Sequence, residues 1–172
     1  MSETDVPRIS PHRVSAEPAA VREWLDFHRA TLLRKCAGLD DEQLKRASCP
    51  PSNLTLLGLV RHMTDVERGW FLRGVGGHSE AEVPPLYYSD EEPEGDVEDL
   101  DSASTQAVFA TYEQTIAEIR AATADADLDA TFTRGSSPFS VRWAFLHMIE
   151  EYARHNGHAD LIRERIDGAT GQ

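Results

Sequence analysis

The sequence predicts an all-α protein, a bundle of four long helices with a long loop between the second and third. Three observations carry this expectation. Four segments place apolar residues at recurring three- and four-residue steps. Each of the four is bounded by residues that start or stop helices. Convincing strand alternation is absent along the chain.

The first helix is expected from about Glu17 to Gly38, with Val21, Trp24, Leu25, His28 and Leu32 as its stripe. Pro18 suits a first turn and Gly38 an end. A short helical piece capped by Asp40 is expected over residues 40–46, before Cys49-Pro50-Pro51-Ser52-Asn53 breaks the chain. The second helix runs from Thr55 to about Gly74, with Leu56, Leu59, Met63, Val66 and Trp70 on one face. The third runs from about Ser102 to Thr123 and turns Val108, Tyr112, Thr115, Ile116 and Ile119 inward. The fourth starts at Ser140, a good N-cap, and ends near Gly168.

Between the second and third helices, Gly77 to Asp101 holds Pro84, Pro85, Pro93, two tyrosines and many acids. So long a connection needs a reason. It reads as a strap passing along the bundle, in preference to a lid over a site. Its acid run, Asp90 to Asp101, reads as solvated. Residues 1–16 are expected as a flexible N-terminal segment, residues 17–168 as one four-helix-bundle domain, and residues 169–172 as a tail.

The chain has 172 residues and a formal net charge of −13. That length suffices for one domain with a proper core. The charge argues against nucleic acid and anionic membrane as partners, since both are polyanions. The first eleven residues lack the apolar stretch of a signal peptide, and no apolar run approaches a membrane span. Cys36 and Cys49 form neither a disulfide framework nor a zinc motif. A reducing, cytoplasmic compartment is expected.

The chemistry concentrates in the fourth helix. Glu151 and His155 lie one turn apart on its apolar face, whereas Glu150 points to solvent. A buried carboxylate is costly unless something pairs with it. Taken singly, Glu151 could meet Arg61 or Arg154, and His155 could bond a backbone carbonyl. Together, with His147 and His158 near the edge of the same arc, they point to a metal ion. A third ligand must come from another helix. His62, at the border of the second stripe with Gly58 one turn earlier, is the best candidate. His28 competes, and reads better as a packed histidine at the core edge. His12 and His78 read as solvated. Trp24, Trp70 and Trp143 are expected in the core or at a dimer interface.

The run Leu56-Leu57-Gly58-Leu59-Val60-Arg61-His62-Met63-Thr64-Asp65-Val66-Glu67 resembles the second-helix signature of the DinB-like superfamily. The run from Trp143 to Asp160, with Glu150-Glu151-Tyr152-Ala153-Arg154-His155-Asn156-Gly157-His158 at its centre, resembles the last helix of that superfamily. The variant is close to an actinobacterial branch that includes mycothiol-dependent maleylpyruvate isomerases and mycothiol S-transferases. The resemblance covers Glu17 to Gly168. It implies a DinB-like four-helix bundle, often a homodimer, with one divalent metal on His62, Glu151 and His155. Many superfamily members have a histidine where this chain has Glu151; the mycothiol-dependent isomerases resemble it in having a glutamate.

Two nitrogens and a carboxylate oxygen suit zinc first, and nickel, iron or manganese next. The leading expectation is a metal-dependent thiol transferase. A low-molecular-weight thiol such as mycothiol would attack an electrophilic small molecule, with His158 as a supporting group behind the ligands. Metal-bound water in a hydrolase is the alternative, with Asp65 or Glu67 as base. A non-catalytic ligand-binding module is the third.

Overall fold

The structure, a computed structural model, describes residues 6–98 and 100–171. Residues 1–5 of the expected N-terminal segment, Asp99 of the acid run and Gln172 of the tail lie outside the described residues.

The chain is mostly helical. Helix α1 spans Glu17–Cys36, the short α2 Asp41–Leu44, α3 Leu56–Glu67, α4 Thr105–Thr123 and α5 Val141–Asp167. Helix α3 continues without a break into a π-helical stretch, Arg68–Val75. A single 3-10 turn, Leu100–Ser102, precedes α4. Helix α1 packs along α5, and α3 along α4.

The helix boundaries follow local chemistry. Thr55 caps α3 by accepting from the Gly58 N–H, and Ser140 caps α5 by accepting from the Trp143 N–H. Asp40 and Gln43 form a reciprocal capping box on α2. Gly168 ends α5 at φ 79°, the left-handed conformation that favours glycine.

One expectation fails outright. Thr131–Arg134 (β1) and Ser137–Ser140 (β2) pair as an antiparallel hairpin, with Phe132 opposite Phe139. Each strand has only four residues, too few to register as alternation. Gly135 at φ 61° supplies the first central position of the two-residue turn. Tertiary packing holds the hairpin down. A Cβ on Gly74 would stand 2.8 Å from the Phe132 ring, so the missing side chain is where that ring seats.

The core holds Leu25, Leu32, Leu59, Met63, Met148 and Tyr152, each fully buried. An ion pair lies among them. Arg29 Nε and Nη2 donate to the two carboxylate oxygens of Glu67, both at 2.7 Å, and Glu67 is wholly inaccessible. The hydroxyls of Tyr112 and Tyr152 meet at 2.8 Å in the same region. Burial, reinforced by the Glu67 carboxylate, holds the Tyr152 phenol well above its ordinary range. Trp70 is buried as expected, whereas Trp24 and Trp143 are exposed, at 46% and 41%.

Between Val75 and Leu100 the described residues form turns, with no helix or strand. They run back along α3. The Leu86 and Tyr87 N–H groups donate to Asp65, and Arg61 donates to the Gly95 carbonyl. The Val97 backbone passes 3.3 Å from where a Cβ on Gly58 would sit. Ahead of α1, Val6 is buried, and the His12 backbone and ring both bond Glu23. No helix among the described residues is long and apolar enough to cross a membrane.

Candidate metal centre

Helix α5 presents Glu151 and His155 one turn apart, and α3 presents His62 across from them. One donor atom from each of the three lies within 4.8 Å of the others. Glu151 Oε2 is 3.3 Å from His155 Nε2. The His62 and His155 rings are 4.8 Å apart, in an edge-on arrangement. The side chains of Glu151 and His155 are 17% and 13% exposed, so the cluster is recessed yet reachable from solvent.

The donor set suits a divalent cation: two imidazoles and one carboxylate, with no lysine or arginine paired to the acid among the described residues. The two arginines that could have neutralised Glu151 are engaged elsewhere or directed outward. Arg61 bonds the carbonyls of Gly95 and Glu98 and lies over the Tyr87 ring, and Arg154 is exposed. His155 Nδ1 is buried without a hydrogen-bond partner. Desolvation, then the neighbouring His62 and His158, push the His155 imidazolium pKa down to about 4. The ring is therefore neutral near pH 7, the form that ligates metal. These residues fit such an ion.

The loop supplies a partner that the sequence did not single out. Asp96 Oδ2 lies 2.6 Å from His62 Nδ1, and Asp96 is 7% exposed. A carboxylate on Nδ1 fixes the imidazole's orientation and leaves Nε2 for the site. Asp96 belongs to the acid run expected in solvent, so that expectation is corrected here. Burial and an imidazole partner, rather than composition, set it apart from its neighbours. Gly58 is what lets Val97, and with it Asp96, approach α3 so closely.

Other candidates sort as follows. His28 is not among the clustered donors; Asn156 Nδ2 donates to its carbonyl at 3.1 Å, and its ring packs against Trp24 and Phe27. His158 lies with its ring 5.3 Å from that of His155. His147 faces Glu151 from the other side, 3.7 Å from Oε1. Asp65 and Glu67, considered as bases, are both committed elsewhere. Asp65 accepts two loop N–H groups and Glu67 holds Arg29. Arg163 donates to the carbonyls of Lys35 and Ala37 at the end of α1. Cys36 is buried, and burial pushes its thiol up to about 12, so it is no nucleophile at neutral pH.

The chain is mostly helical and carries, between two helices, a cluster of two histidines and one carboxylate that could hold a metal ion. The family model described as mycothiol-S-transferase matches residues 20–168, and this chain belongs to that family. No curated protein matches the chain.

Proposed function

We propose that the protein is a metal-dependent S-transferase. His62, Glu151 and His155 hold one divalent ion, zinc first, and the thiol cosubstrate is mycothiol. The reading takes residues 17–168 as one four-helix-bundle domain of a homodimer, as the resemblance implies, in the cytoplasmic compartment that the cysteine usage suggests.

The observation that carries it is the convergence of three donor atoms within 4.8 Å, from two helices, in a mycothiol S-transferase family chain. When bound, a divalent ion holds a thiol as its thiolate, the nucleophilic form. The chain's own residues then orient and shield. Asp96 fixes the His62 ring through Nδ1. Glu151 lies between His155 and His147, so its two oxygens face different imidazoles. Three donors leave a coordination position for an exogenous group. The family does not need a protein thiol under this reading, which agrees with the burial of Cys36.

The test is metal content of untagged protein, with Glu151→Ala and His155→Ala beside wild type. About one equivalent in wild type, lost in both variants, is the result expected of a three-donor site. Wild type that neither carries nor takes up zinc overturns the reading. With metal established, mycothiol consumption against a panel of epoxides, quinones and activated alkenes identifies the electrophile.

A further inference from the structure

Away from the three donors, the π-helical stretch after α3 and helix α5 carry a row of aromatic rings. The Trp70 ring lies 4.9 Å from His147 and 4.9 Å from Trp143. Trp143 in turn stacks on His147 at 4.7 Å. Because His147 Nε2 is 3.7 Å from Glu151 Oε1, the row begins at the donor cluster.

At its other end stand two arginines. Strand β1 lays the Arg134 guanidinium over Trp70, 4.2 Å from the ring centroid. Arg73, from the π-helical stretch, reaches the same place. A Cβ on Gly69 would stand 3.1 Å from Arg73 Nη2 and 3.6 Å from Arg134 Nη2. The missing side chain of Gly69 leaves room there, and a cavity of about 300 Å³ opens beside it, bounded also by Gly74, Tyr88, His78 and, at its exposed rim, Glu80.

Like charges brought together cost free energy unless an anion joins them. This chain has 30 acidic residues to offer. Even so, the Arg134 guanidinium has no hydrogen bond or ion pair among the described residues. The acid nearest Arg73, Glu80, is 3.9 Å away and 74% exposed. The remaining Arg73 bonds go to the Val83 carbonyl and the Tyr88 hydroxyl. Partial burial, then the charge of Arg73, hold the Arg134 pKa below its ordinary value. The attraction of a bound anion opposes both effects.

We propose that Arg73 and Arg134 form a carboxylate-binding subsite, and that the electrophilic substrate is an aromatic compound with an acid group at its far end. Gly69 follows His62 by seven residues, two turns along the same helix face, or about 10 Å. A fused pair of rings together with its carboxylate covers most of that length. Trp143, which is exposed, offers an aromatic face along the way, and Trp70 lies buried beneath Arg134. The guanidiniums offer paired N–H donors to the carboxylate. The reacting end of this arrangement rests on the metal-centre reading; the acid end stands on the arginine pair alone.

The test is calorimetric titration with 2-naphthoate and with its neutral counterpart 2-naphthamide. The proteins are wild type, Arg134→Met, Arg73→Met and His155→Ala. Wild type is expected to bind the carboxylate roughly tenfold more tightly than the amide. Both methionine variants lose that preference and His155→Ala keeps it. Methionine at 134 retains an apolar side chain over Trp70 on an exposed hairpin, so it decides the matter should Arg73→Met not fold. Equal binding of the two probes by wild type, absence of binding, or a preference that survives Arg134→Met overturns the proposal. Loss of the preference in His155→Ala places the acid at the donor cluster and overturns it too. A wild type without metal that still prefers the carboxylate sinks the metal reading alone.

Discussion

Asp96 Oδ2 stands 2.6 Å from His62 Nδ1, and the two residues are 34 positions apart in the chain. A loop that the sequence marks only as long and acidic thus reaches back to a helix and sets the orientation of one imidazole. The site is shared between two helices and this loop.

Under the proposed metal site, Asp96→Ala is expected to weaken metal binding without removing a ligand. The expected loss is about 10–100-fold, as for other carboxylates behind a ligating histidine. Competition with a chelator of known affinity measures it. Unchanged affinity shows that Asp96 is only a structural contact.

Glu67→Gln leaves the Arg29 guanidinium buried without its counter-charge. Breaking a buried ion pair by removing one partner costs about 3–5 kcal/mol. Urea unfolding followed by circular dichroism gives the value. The double variant Arg29→Met with Glu67→Leu recovers most of it, because two apolar groups carry no desolvation cost. A single-variant loss under about 1 kcal/mol contradicts the buried pairing, being the range of exposed pairs.

Gly74→Ala puts a methyl group 2.8 Å from the Phe132 ring. The hairpin must shift, at about 1–3 kcal/mol as in other overpacked sites. A lowered midpoint in thermal unfolding, with Arg134 displaced from Trp70, is the outcome expected. Gain of stability instead means that helix propensity outweighs the contact.

Alkaline stability follows from buried acids. Burial pushes the Cys36 thiol from its ordinary 9.0 up to about 12, and Tyr112 and Tyr152 are raised in the same direction. Above pH 9 the unfolded chain releases the thiol proton while the folded chain keeps it. Stability is thus complete below pH 9 and falls as pH rises toward 12. Cys36→Ala shallows that decline, as unfolding at pH 8, 9 and 10 measures. In the folded protein at pH 8, a thiol reagent modifies Cys49 and spares Cys36, and unfolding exposes both. Equal rates for the two thiols in the folded state contradict the burial.

Much of the helical frame was legible because its signals are local. Ser140, Thr55 and Asp40 act as caps at the places where the sequence put helix starts. The inward faces of α4 and α5 follow the 3.6-residue period, and that period brought Glu151 and His155 to one side. His62 was harder. It sits at the border of its stripe, and wheel geometry permitted it without requiring it.

The sequence alone determined the helices, their faces and the pairing of Glu151 with His155, since contacts one turn apart are encoded by spacing. Tertiary structure alone decided the rest. The position of Asp96 on His62, the Arg29–Glu67 pair inside the core, and the hairpin that carries Arg134 to Trp70 each join residues far apart in the chain. No local period records such meetings. They are fixed by which buried charges must find partners, and by where Gly58, Gly69 and Gly74 leave room for another segment to arrive.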